Sequence, residues 1–139
     1  MGRILSIDYG KKRTGIAVTD PLKLIANGLV TVNTFKLFDY LKNYIKHEEV
    51  ELIVIGRPLQ LNGRPSENFQ RVEQFVKQWV KQVPQIPITY YDERFTSVIA
   101  QQTILDSGIK KNTRRKEKGL VDEISATIIL QDFMKYNKI

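Results

Sequence analysis

Cysteine is absent from this chain, and histidine occurs once, at His47. The first absence excludes a disulfide framework and any thiolate metal site. The second excludes sites that need several imidazole ligands. A bound metal would have to be held mainly by oxygen, which suits hard cations such as Mg²⁺ or Mn²⁺. No apolar run approaches the roughly 20 residues that span a bilayer, and no membrane partner is expected. No secretory leader is visible, because the first ten residues hold only a short apolar run that ends at Asp8. Met1-Gly2 followed by Ser6 fits a loose N-myristoylation pattern. Arg3 to Asp8 reads as a core strand, however, and a chance match is the better reading. A cytoplasmic location is the resulting expectation. Repeats, low-complexity tracts and linkers are also missing, so residues 1–139 are expected to form one domain.

What is present is a globular composition with a positive bias. Hydrophobic residues make up 42% of the chain, which suits a single core. Lys and Arg total 22 against 15 Asp and Glu, a net charge of +7. That excess favours a nucleic-acid partner without establishing one.

The residue periodicity predicts an α/β fold. Ile4 to Asp8, Thr14 to Thr19 and Gly28 to Asn33 read as strands joined by short turns, an antiparallel meander. In the first, Ile4, Ser6 and Asp8 share one face. In the second, Ile16 and Val18 make a bulky side, and Gly15 and Ala17 a small one. Leu37, Phe38, Leu41, Tyr44 and Ile45 then fall on one helical face. Glu51 to Gly56 reads as a buried strand. Pro58, Asn62-Gly63 and Pro65 mark a loop, and Ser66 is a candidate N-cap. Phe69, Val72, Val76, Trp79, Val80 and Val83 make an amphipathic stripe. Ile88 to Tyr91 is a fifth strand. A helix is expected from Thr96 or Ser97 to about Asp106, then a basic loop from Ile109 to Lys118, then a last helix from about Gly119 to Tyr136. A meander followed by β-α-β units forms one mixed sheet of five strands with helices on its faces.

Three acids stand out on this frame. Asp8 ends the first strand, at the carboxyl edge where α/β sites form. Gly10, just after it, permits a tight turn or the close approach of a ligand. Glu93 lies just past the fifth strand, between Asp92 and Arg94; taken alone it also reads as loop surface. Asp122 sits early in an apolar helix, with Ser125 and Ala126 on the same face. Those small residues would let the helix approach the sheet. A helix-dipole role is the plain alternative for Asp122.

If the first, fourth and fifth strands are adjacent, Asp8 and Glu93 stand roughly 10 Å apart in backbone. Gly56 leaves the gap between them open. Two metals about 4 Å apart would bridge it. Carboxylates this close repel one another unless cations neutralise them. Such two-metal sites recur in phosphodiester hydrolysis.

Basic residues border the acids. Lys11-Lys12-Arg13 follows Asp8. Lys110, Lys111, Arg114, Arg115, Lys116 and Lys118 precede the helix of Asp122. Arg57 and Arg94 lie close to the same strand ends. Such cations suit a phosphate backbone entering a metal site, although the second segment taken alone reads as a solvated loop. His47 is expected at the surface.

The same residues give the chain a resemblance to the YqgF (RuvX) family, which is similar to the RuvC resolvases and belongs to the RNase H-like superfamily. The carrying stretches are Ile7-Asp8-Tyr9-Gly10 with Arg13-Thr14-Gly15, Ile55-Gly56-Arg57-Pro58-Leu59 with Asn62-Gly63, Asp92-Glu93-Arg94-Phe95-Thr96-Ser97, and Lys118-Gly119-Leu120-Val121-Asp122 with Ser125-Ala126. The resemblance implies an RNase H-like sheet and a metal cofactor. It also implies that Asp8, Glu93 and Asp122 are the catalytic acids and metal ligands. Family members are described as Holliday-junction resolvases and as nucleases maturing the 5′ end of the small-subunit ribosomal RNA precursor. The leading expectation is therefore a nuclease acting on structured RNA, with precursor rRNA favoured over DNA junctions. Monomer and weak dimer both stay open. A junction resolvase, an actin-like or sugar-kinase-like ATPase, and a non-catalytic RNA-binding assembly factor are the rivals. Glu123, beside Asp122, has no assigned role and is expected to point about 100° away from it.

Overall fold

The structure is a computed structural model that describes residues 2–57, 68–92 and 118–136. The side chains at 57, 92, 118–122 and 136 lie outside that description, as do the expected Ser66 cap, the helix after Thr96 and the basic loop.

Among the described residues there are five strands: β1 (Arg3–Tyr9), β2 (Arg13–Thr19), β3 (Ala26–Asn33), β4 (Val50–Arg57) and β5 (Ile88–Asp92). A short 3-10 turn, Thr34–Lys36, leads into helix α1 (Leu37–His47); α2 is Phe69–Gln82 and α3 is Lys118–Tyr136. The sheet order is β3-β2-β1-β4-β5. β1, β2 and β3 pair antiparallel, whereas β4 lies parallel to β1, and β5 parallel to β4. This is the expected mixed sheet of a meander followed by crossover units, and β1, β4 and β5 are indeed neighbours.

Strand alternation divides the core between two faces. Leu5, Ile7, Ile16, Val18, Ile53 and Ile55 pack with Leu37 and Leu41 of α1 and with Val72, Phe75 and Trp79 of α2. On the other face Ile4, Ala17, Ala26 and Val54 meet Ala126, Ile129, Leu130 and Met134 of α3. Helices thus cover both faces, which explains why the central run of β4 is apolar without alternation.

The apolar stripe of α2 needs one correction. Val72, Phe75, Trp79 and the following Val83 are buried, while Val80 is 53% exposed. Trp79 sets the centre of the face, and its neighbour Val80 is turned about 100° away from it. The helix starts with Asn68 at its cap position, and Asn68 makes no side-chain cap hydrogen bond there.

A bulge shapes β3. Ile16 pairs with Val30 while Ala17 pairs with Gly28, so Leu29 is the extra residue. Residues 28 and 31 would otherwise face opposite ways. The added residue turns both toward α3, where Gly28 and Thr31 meet Glu123.

Candidate active site

The carboxyl end of β1 is where the elements converge. Asp8 pairs across the sheet with Gly15, which pairs in turn with Thr31. By alternation Asp8 faces the same side as Ile4 and Ser6, the side covered by α3. One row earlier the Ser6 hydroxyl donates to the Ala126 carbonyl at 2.6 Å, in a buried contact. This contact is possible because the surfaces that meet are small: Ser6, Ala17 and Gly28 on the sheet, Ser125 and Ala126 on the helix.

The direction of α3 follows from its contacts. Glu123 accepts from the Thr31 hydroxyl at 3.4 Å, in the row of Asp8, while Ala126 sits over Ser6 in the row below. The start of α3 therefore points toward the carboxyl end of β1, and Asp122 stands on that side of Ala126. It lies about 6 Å of helix before Ala126, as Asp8 lies roughly 7 Å of strand beyond Ser6. The backbone brings these two positions to one edge, although the Asp122 side chain is outside the described residues. Glu93 is also outside them; it follows Asp92, the last residue of β5. Between β1 and β5, Gly56 of β4 is buried beside Ile55, which pairs with Ile7, and is itself paired with Tyr91.

Glu123 has a place of its own. Its Cβ and carboxylate pack where a Gly28 side chain would project, 3.5 Å from the position of that missing Cβ. It belongs to the seam between α3 and β3.

The turn after Asp8 is tightly built. A Cβ on Gly10 would lie 2.2 Å from the Arg13 carbonyl oxygen. Of the two roles open to Gly10 in the sequence, the tight turn is the one this geometry requires. Thr34 secures the turn from the far side. Its hydroxyl donates to the Gly10 carbonyl at 2.7 Å, and its N–H donates to Lys12 O at 2.9 Å. Lys11 and Lys12 are exposed, and Arg13 is half-buried. Arg57 ends β4 opposite Asp92, with its side chain undescribed. Arg94, Arg114 and Arg115 lie outside the described residues. His47 is exposed at the end of α1, as expected.

Two residues at this edge were not singled out from the sequence. Asn68 donates its side-chain amide to the Tyr9 carbonyl at 2.6 Å, tying the start of α2 to the end of β1. Its Oδ1 is buried without a hydrogen-bond partner. The Tyr9 ring lies on the face opposite Asp8, and burial raises its hydroxyl pKa above the ordinary value, against a smaller lowering by Arg71. The role of each depends on which helix packs on which face, although Tyr9 lies within the Ile7-Asp8-Tyr9-Gly10 stretch.

Among the described residues no three Asp, Glu or His side chains converge as a metal site. The donor chemistry fits a hard cation nonetheless. With no Cys and an exposed His47 on α1, away from the strand end, the edge offers oxygen ligands, Asp8 first. No helix of the described residues is long and apolar enough to cross a membrane.

The model of the RuvX family, described as Holliday junction resolvase, matches residues 2–136. A relative from Bacteroides fragilis, named "Putative pre-16S rRNA nuclease", is 53% identical over 139 residues, all of both chains. Relatives of the same name from Phocaeicola vulgatus and Porphyromonas gingivalis are 55% identical over 138 residues and 54% identical over 134 residues. They cover 99% and 96% of this chain, and the same shares of their own. Among solved structures, YeaZ from Pseudomonas aeruginosa aligns with a TM-score of 0.45 at 17% identity, over 78% of this chain and 50% of that one. That likeness is too distant to bear on function. With a family model spanning nearly every residue, and an α/β sheet of the RNase H-like kind beneath it, the chain belongs to the RuvX family.

Proposed function

We propose that this chain is a metal-dependent nuclease that hydrolyses phosphodiester bonds in structured RNA, in the 5′-end maturation of the 16S rRNA precursor in the cytoplasm. The observation that carries the reading is the edge itself. A carboxylate ends β1 at the edge toward which the first turn of α3 points, beside an exposed basic turn. The full-length identity to relatives named as pre-16S rRNA nucleases selects the substrate.

Asp8, Glu93 and Asp122 would hold Mg²⁺ or Mn²⁺, in a pair of ions, which when bound supply an activated water and stabilise the leaving oxygen. The chain's own residues position the substrate. Lys11, Lys12 and Arg13 would meet the phosphates from the turn, and Arg57, Arg94, Arg114 and Arg115 are the further phosphate-binding candidates. The Ser6–Ala126 contact fixes the helix carrying Asp122 against the strand carrying Asp8.

One alternative has an observation of its own. The family description is Holliday junction resolvase, which would act on DNA. The test is to incubate the protein with precursor 16S rRNA, a four-way DNA junction and single strands, with and without Mg²⁺ or Mn²⁺. Metal-dependent cleavage of the rRNA precursor is expected. Paired symmetric cuts in the junction, with the precursor left whole, would replace this reading with the resolvase.

A further inference from the structure

On the face of β1 opposite Asp8, between α1 and α2, a cavity of about 260 Å³ opens beside Tyr9. Its wall is aromatic. Tyr9 packs on Phe75 with ring centroids 5.6 Å apart, and Phe38 meets Phe75 edge-on at 6.1 Å. Its rim is polar. Arg71, Gln74 and Gln78 line it from α2 at i, i+3 and i+7, a single stripe of that helix. Phe35 stands at the mouth, 79% exposed, with the Lys36 ammonium 5.6 Å from its ring centroid. A ring left so far in water contributes little burial to the fold. Across the Phe35-Lys36 turn, Arg13 and Lys36 line a broader groove of about 640 Å³.

Aromatic walls select a flat ligand with a π face, and a rim of two amides and a guanidinium selects hydrogen-bonding groups along its edge. A nucleobase has both features, and its phosphates would lie against Arg13 and Lys36, the two cations of a groove that Asp39 also lines. Tyr9 follows Asp8 directly, and successive strand residues face opposite sides. The cavity is therefore one residue away from the candidate metal edge.

We propose that this cavity binds an unpaired nucleobase of the strand that passes the carboxyl edge of the sheet, with Phe35 and Tyr9 stacking on the base and Gln74 and Gln78 reading its edge. Its role in substrate selection rests on the nuclease reading; the binding itself does not. An aromatic side chain of a protein partner would fill the walls but leave both amides unused.

The test is anisotropy of short labelled single-stranded RNA without divalent metal, so that binding is read apart from cleavage. The comparisons are the same RNA as a duplex, with abasic positions, and as DNA. A strand carrying 2-aminopurine reports stacking through quenching. Tighter binding of the single strand than of the duplex or the abasic strand is expected, with RNA and DNA affected alike. Phe35→Ala should weaken single-strand binding by roughly 5- to 100-fold, and Gln78→Ala by roughly 2- to 10-fold. Phe35→Ala should leave the melting temperature unchanged, because that side chain is exposed. Equal affinity for abasic and intact strands, or an unaltered Phe35→Ala, would overturn the proposal. So would a Phe35→Ala variant that loses self-association in sedimentation while its RNA affinity stays constant, since the cavity would then hold a protein chain. Cleavage is scored separately with Mg²⁺ or Mn²⁺. Base-dependent binding without cleavage would remove the nuclease reading and leave the pocket standing. Cleavage by a protein indifferent to Phe35→Ala would do the reverse.

Discussion

Asp20 shows how one side chain holds a loop at the end of the sheet opposite the candidate site. Its carboxylate accepts the N–H groups of Leu24 at 2.7 Å and Ile25 at 2.8 Å. Within that loop Lys23 adopts φ 59°, a left-handed conformation that disfavours a side chain, and its ammonium pairs with Glu51. The backbone N–H of Ile25, followed by that of Leu24, holds the Asp20 pKa below the ordinary carboxylate value. A carboxylate whose pKa is lower in the folded than in the unfolded state stabilises the fold above the unfolded pKa. It loses that contribution as pH falls through the folded value. Asp20→Asn is therefore expected to melt below wild type at neutral pH. The gap should close once the pH lies well under the carboxylate range. Thermal melts across a pH series check this, and a gap that persists in acid would show that charge is not the cause. At this scale the sequence was legible where a residue's own position mattered. Asp8 follows from its place at a strand end, and Gly10 from the turn behind it. Asn68 and Tyr9 were not legible, because their roles come from α2 packing on one face of β1.

At the scale of elements, small residues decide how near α3 comes. Ala126→Leu would place a larger side chain where the helix meets Ser6. Overpacking of this kind costs about 1–3 kcal/mol. It should also lift the first turn of α3 from the sheet, so cleavage is expected to fall along with the melting temperature. Loss of stability with full activity would show that helix position does not govern the site. On α2, Val80→Lys should change stability by no more than about 0.5 kcal/mol, and Phe75→Ala should cost about 3–5 kcal/mol. Denaturant titration of both variants checks the corrected face. The periodicity places Val80 in the apolar stripe of this helix and leaves Phe75 out, and only tertiary packing reverses the two. The strands were easier to read, since alternation in β1 and β2 announces two covered faces. The Leu29 bulge was hidden, because the sequence pattern starts the strand at Gly28 when that glycine lies inside β3, where it marks a bulge, and with it the seat of Glu123.

At the scale of the whole molecule, topology and charge act together. The order β3-β2-β1-β4-β5 places the Lys11–Arg13 turn and the end of β4 on either side of Asp8. The net charge of +7 supplies attraction to phosphate. Replacing the exposed Lys11 and Lys12 by Ala should reduce the slope of log affinity against log salt by roughly 1.4 for a single strand. An unchanged slope would remove that turn from the phosphate track. The fold was legible because its meander and crossover units each carry their own periodicity. The substrate was not, since a basic surface does not distinguish RNA from DNA. The central claim is that the carboxyl edge of β1 hydrolyses phosphodiester bonds with metal held by Asp8 and its acidic partners. The most direct measurement is metal-dependent cleavage of precursor 16S rRNA by wild type and by Asp8→Asn at matched folding. Cleavage by wild type only when Mg²⁺ or Mn²⁺ is present, and none by an Asp8→Asn variant of wild-type melting temperature, is the expected result; full activity in that variant would contradict it.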